Sequence, residues 1–81
     1  MRRETDRYWA DLTNIDRRQQ RALAVIHKEG GWTQRIEVKG QDYCDLREAM
    51  EGSAFHFDTY IKRKYDKQQE RAPTGATWGL A

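Results

Sequence analysis

The chain is poor in the features that usually announce a chemistry. It holds one cysteine, Cys44, so it has no internal disulfide, and a lone thiol suits a reducing compartment. It holds one proline, Pro73, so nothing before that point bars regular structure through a locked φ. No apolar run follows Met1, where Arg2, Arg3 and Glu4 stand instead, and no stretch approaches the ~18 apolar residues of a membrane span. These absences predict a cytoplasmic protein without a membrane anchor. The formal net charge of +2 is too small to imply nucleic acid by itself. No glycine-rich phosphate loop, nucleophile elbow or calcium loop occurs.

Candidates for catalysis or metal binding are correspondingly few. Cys44, His27 and His56 are the residues that could suggest a thiol nucleophile or zinc. On one continuous helix Cys44 and His56 would stand about 18 Å apart, beyond any hydrogen bond. They could meet only if the chain turned back at Gly52. No pair has the close spacing of a structural zinc site. The acids Asp42, Asp45, Glu48 and Glu51 read as a charged, solvated row at the start of a helix and not as a general acid and base. The expectation is therefore a non-enzymatic protein with no cofactor.

What is present is periodicity. Over residues 42–71, Tyr43, Leu46, Met50, Ala54, Phe57, Ile61 and Tyr65 recur every three or four positions, one face of an α-helix. Acids lead this stretch, and Lys62, Arg63, Lys64, Lys67 and Arg71 close it, in agreement with a helix macrodipole. Gly52 interrupts it. Because the stripe stays in phase, the expectation is one long helix. In the alternative, Gly52 ends a first helix and Ser53 caps a second.

Residues 4–29 also carry a helical spacing. Thr5, Tyr8, Leu12, Ile15, Gln19, Ala22 and Ile26 form a heptad-like seam, widened by Trp9, Leu23 and Val25. Thr13 with Asp16 resembles a capping box, so this helix starts near Glu4 or near Asn14. Gly30 and Gly31 end it. Residues 32–39 alternate: Trp32, Gln34, Ile36 and Val38 share one face, and Thr33, Arg35, Glu37 and Lys39 the other. That is a strand-like connector. A lone strand cannot satisfy its own backbone, which leaves the same strand of a second subunit, or the alternating Ala76, Trp78 and Leu80, as its partner.

The predicted fold class is therefore mainly α. Two antiparallel helices form a hairpin in a small helical protein, with one strand-like connector at about 32–39. Residues 1–72 are the domain, and residues 73–81 an extended tail after Pro73. Tyr8, Trp9, Trp32, Phe55, Tyr60 and Trp78 are more aromatics than so small a core needs, which points to a partner surface and a homo-oligomer. Trp9, Trp32, Phe55, Tyr60 and Trp78 are the candidate anchors, with Arg35, Lys62, Arg63 and Lys64 as steering charges. The leading function is occupation of a surface on a protein partner, in general character like small phage or mobile-element regulators and inhibitors. A second reading is a pocket for a small anionic ligand, such as a nucleotide, at a subunit interface. A third is nucleic acid, because Lys62, Arg63, Lys64 and Lys67 interleave with Tyr60 and Tyr65, and Arg17, Arg18 and Arg21 form another basic patch.

The order from Thr33 onward is strand, helix, Gly52-Ser53, helix. Over about half the chain this resembles the ribbon-helix-helix DNA-binding proteins. The resemblance implies strands of two subunits paired in a major groove, with Thr33, Arg35, Glu37 and Lys39 toward bases. It also implies that Ser53 caps a helix whose N-terminus meets a phosphate. The N-terminal segment is additional to that pattern.

Overall fold

A computed structural model describes residues 1–69 of the chain. Its elements run β1 (Arg2–Glu4), β2 (Tyr8–Asp16), β3 (Arg21–Lys28), β4 (Thr33–Lys39), α1 (Gln41–Glu51) and α2 (Ala54–Ile61), then a π-helical turn, Lys62–Asp66. The strands form one antiparallel sheet in the order β1-β2-β3-β4. Both helices cover one face of it. The expected mainly-α hairpin is thus overturned, and with it the description of a small helical protein: the four strands take up about as many of the described residues as the helices do.

The N-terminal segment is where the expectation failed, for a readable reason. Tyr8, Ala10 and Leu12 alternate, as do Ala22, Ala24 and Ile26, and all six are buried. The residues between them face the other way. A period of two was present beside the heptad spacing, and backbone pairing between neighbouring strands decided between them. Leu12 stands opposite Ala24, and Ala24 opposite Ile36; Ala10 stands opposite Ile26. Large and small side chains alternate across the sheet, so the helices can sit close without voids.

The turns follow from local chemistry. Thr13 and Asp16, read as a helix cap, instead bracket a bulge in β2 where Asn14 takes φ 52°, a conformation Asn tolerates better than most residues. The Asp16 carboxylate accepts the N–H groups of Arg18 and Gln19, both at 3.1 Å, and turns the chain into β3. Gly30, at φ +72°, makes the β3–β4 turn, which closes through Lys28 N–H to the Trp32 carbonyl at 2.9 Å. It ends a strand rather than a helix. The expected connector strand at 32–39 is real, and along one edge it pairs with β3 of the same chain; the alternating Ala76, Trp78 and Leu80 lie outside the described residues.

The helical half follows the sequence more closely. Gly40, at φ +62°, opens α1, which buries Tyr43, Leu46, Ala49 and Met50. The single through-helix is corrected: α1 stops at Glu51, and Ser53 caps α2 by accepting the His56 N–H at 3.1 Å. The stripe stays in phase because both helices bury onto the same sheet. Phe57, Ile61 and Tyr65 continue it, whereas Ala54 is exposed. The wider π turn brings Tyr65 and its neighbour Asp66 inward together. The expected tail, with Trp78 and Pro73, lies outside the described residues.

Candidate functional site

The site is built where the β1–β2 turn meets α2 and the π turn. Thr5 organises the turn. Its hydroxyl accepts the N–H groups of Arg7 and Tyr8, at 3.3 and 3.2 Å, and donates to the Asp58 carboxylate at 2.5 Å. That contact ties the turn to α2 and sets Arg7 and Tyr8 beside it. A second tie lies deeper. Asp66, 4% exposed, accepts the Tyr8 hydroxyl at 2.6 Å and the Trp32 indole N–H at 3.1 Å, and pairs with the Lys28 ammonium at 3.1 Å. Three elements, β2, β3 and the π turn, are thereby joined with the start of β4 at one carboxylate.

The electrostatics follow from these contacts. Burial pushes the Asp66 carboxyl up. Hydrogen bonds from Tyr8, Trp32 and Lys28, with the Lys28 charge, outweigh it together and hold the group below the usual carboxylate range. Tyr8 moves the opposite way: burial, then its hydrogen bond to Asp66, raise its phenol well above the ordinary tyrosine value. Both groups stay in one protonation state near neutrality, so the cluster fixes geometry and is not poised for proton transfer.

Phe55 lies beside this network. Ser53 fixes the first turn of α2, Phe57 and Ile61 point inward, and Phe55, two positions before Phe57, is left outside at 80% exposure. Arg7, Tyr8, Phe55, Asp58, Thr59 and Lys62 line a cleft of about 320 Å³. Next to it lies a cleft of about 450 Å³ that shares Arg7, Tyr8 and Lys62 and adds Asp6, Lys28, Glu29 and Asp66. Among the described residues neither Arg7 nor Lys62 forms an ion pair. An exposed ring flanked by two uncommitted cations beside a rigid polar network can seat an apolar side chain with a neighbouring carboxylate.

The structure brings together only some of the residues singled out from sequence. Phe55 and Lys62 share the cleft. Trp32 is half-buried and belongs to the Asp66 network. Trp9 and Arg35 lie on the sheet face that no helix covers, where the Arg2 guanidinium stacks on Trp9 at 4.7 Å. Tyr60 is half-buried and meets Tyr65 edge-on at 6.1 Å. Arg63 is exposed on the π turn, and Lys64 is held by Asp42 at 2.6 Å. Trp78 lies outside the described residues. Sequence reasoning missed Arg7, Tyr8, Lys28 and Asp66. One signal was available: Asp66 is the single acid within the basic run from Lys62 to Lys67.

The helix does break at Gly52, yet no hydrogen bond joins Cys44 and His56 among the described residues, and Cys44 packs half-buried against the core. His27 bonds the Thr33 hydroxyl at 2.8 Å. Among the described residues no group of three or more His, Cys, Asp or Glu could hold a metal ion, and no helix is long and apolar enough to cross a membrane. Compared with known proteins, the chain matches no family model, no curated protein and no solved structure.

Proposed function

We propose that this is a non-enzymatic binding module that occupies a surface on a protein partner, with Phe55 as its anchor. The observation that carries this reading is the 80% exposure of Phe55 in a domain whose other phenylalanine, Phe57, is fully buried. A ring so placed contributes little to the fold. Its removal from water on binding is worth about 1.5–3 kcal/mol. Arg7 and Lys62 beside it favour a partner segment in which an apolar or aromatic residue adjoins Asp or Glu.

Nucleic acid is less well supported. Of the basic residues that suggested it, Lys64 is tied to Asp42 and Arg21 to Glu37, the latter at 2.6 Å. A nucleotide pocket at a subunit interface has no particular residue cluster in its favour.

Selection of peptides from a displayed random library, with Phe55→Ala protein as the counter-target, tests the reading. Enriched sequences should combine an aromatic or aliphatic residue with a nearby acid and should lose at least tenfold in affinity against Phe55→Ala. Equal binding to both proteins would overturn the proposal. So would preferential binding of single-stranded DNA or RNA with a steep salt dependence.

A further inference from the structure

We infer that two copies of the chain pair through β4, antiparallel about a two-fold axis at Ile36, to form one continuous eight-stranded sheet. The inference is independent of the Phe55 cleft and starts from the backbone. In the β3–β4 ladder the Gly40 N–H bonds the Gln20 carbonyl, and the Lys28 N–H bonds the Trp32 carbonyl, both within 2.9 Å. Antiparallel alternation then turns the backbone groups of Gln34, Ile36 and Val38 toward β3, and those of Thr33, Arg35, Glu37 and Lys39 away from it. Among the described residues no hydrogen bond reaches these outward groups. Among the described residues the seven-residue β4 is therefore a long open edge, of the kind that proteins otherwise shorten, bulge or cover. The opposite edge, β1, has only three residues.

Charge then selects the occupant and its register. With the axis at Ile36, Arg35 of each copy faces Glu37 of the other, and Thr33 faces Lys39. Four facing pairs, each exchanging two backbone bonds, give about eight inter-subunit hydrogen bonds. Moving the axis to Arg35 sets guanidinium against guanidinium. Moving it to Glu37 sets carboxylate against carboxylate and Arg35 against Lys39. Shifts of two positions either way leave half the strand unpaired. Full overlap and opposite charges thus coincide in a single self-complementary register, in which cross-strand ion pairs add to the ladder and like charges would oppose it. Glu37 already holds Arg21 of its own chain at 2.6 Å, so the second guanidinium would extend an existing pair. On the helix-covered face the half-buried Ile36 would meet its own counterpart across the axis.

Sedimentation equilibrium of the full chain across a dilution series tests this, together with two charge reversals. The wild type should approach twice its 9.6 kDa mass. Arg35→Glu and Glu37→Arg should each sediment as monomers, since each sets like charges face to face. Mixed in equal amounts they should recover the dimer mass, because every carboxylate again faces a guanidinium. A second arm guards against a folding defect. Ile36→Cys in a Cys44→Ser background should form an intermolecular disulfide under mild oxidation, since facing non-hydrogen-bonded positions lie about 4.5 Å apart, within disulfide range. A monomeric wild type, as expected if the C-terminal segment of the same chain covers the edge, would overturn the inference. So would reversal variants that dimerise alone, a mixture that stays monomeric, or a cysteine variant that does not cross-link.

Discussion

The two faces of the sheet are built from the same strands and do different work. On the covered face, Tyr8, Ala10, Leu12, Ala22, Ala24, Ile26 and Val38 are buried beneath α1 and α2. On the bare face, Leu23 is 45% exposed, and around it charges and rings meet one another: Arg2 with Glu4 and Trp9, Arg21 with Glu37, and Trp9 with His27 at 5.4 Å. One face is closed by apolar packing. The other is kept wet by polar residues in mutual contact. Stability in so small a domain rests on the first, and Phe55, the proposed anchor, projects from the exposed side of α2.

Substitutions can sharpen this contrast. Ile26 and Leu23 sit on the same strand and face opposite ways. Ile26→Ala, deep in the core, should cost about 2–5 kcal/mol in chemical denaturation. Asp66→Ala should follow at about 2–3 kcal/mol, because it strands the Tyr8 and Trp32 donors while the half-exposed Lys28 can return to water. Ser53→Ala removes the α2 cap and should cost about 1 kcal/mol. Leu23→Ala should change stability by less than about 0.5 kcal/mol. Similar losses for Ile26→Ala and Leu23→Ala would mean the faces are not distinct.

Acid provides a different lever on the covered side. The folded-state pKa of Asp66 lies below its unfolded value, so the unfolded chain binds the extra proton first as pH drops. Its contribution is fully present above the unfolded carboxylate range, about pH 4, and is lost as pH falls through the lower folded value. Asp66→Asn should therefore flatten the acid limb of a stability-against-pH curve measured by urea titration. A limb of unchanged slope would show that Asp66 is not a source of the acid sensitivity.

The sequence was legible where burial had one period. In the helical half, Tyr43, Leu46, Met50, Phe57, Ile61 and Tyr65 mark the buried stripe, and Gly40 and Ser53 mark helix starts. In the N-terminal half two periods overlapped: Tyr8, Leu12, Ala22 and Ile26 satisfy a heptad and also alternate with their neighbours. Only pairing partners distant in sequence could choose between them. The candidate site was half legible for a similar reason. Phe55 stood out as lying off the stripe. Tyr8 and Asp66 are joined across more than fifty residues by a contact that no local pattern carries, and Arg7 lines the same cleft.

The separation between fold and recognition is tested most directly by Phe55→Ala, with its melting temperature and its affinity for a library-selected peptide measured on the same sample. The melting temperature should stay within about 2–4 °C of wild type, with peptide binding weakened at least tenfold. A folded variant that binds as tightly as wild type, or one that melts far below it, would contradict that separation.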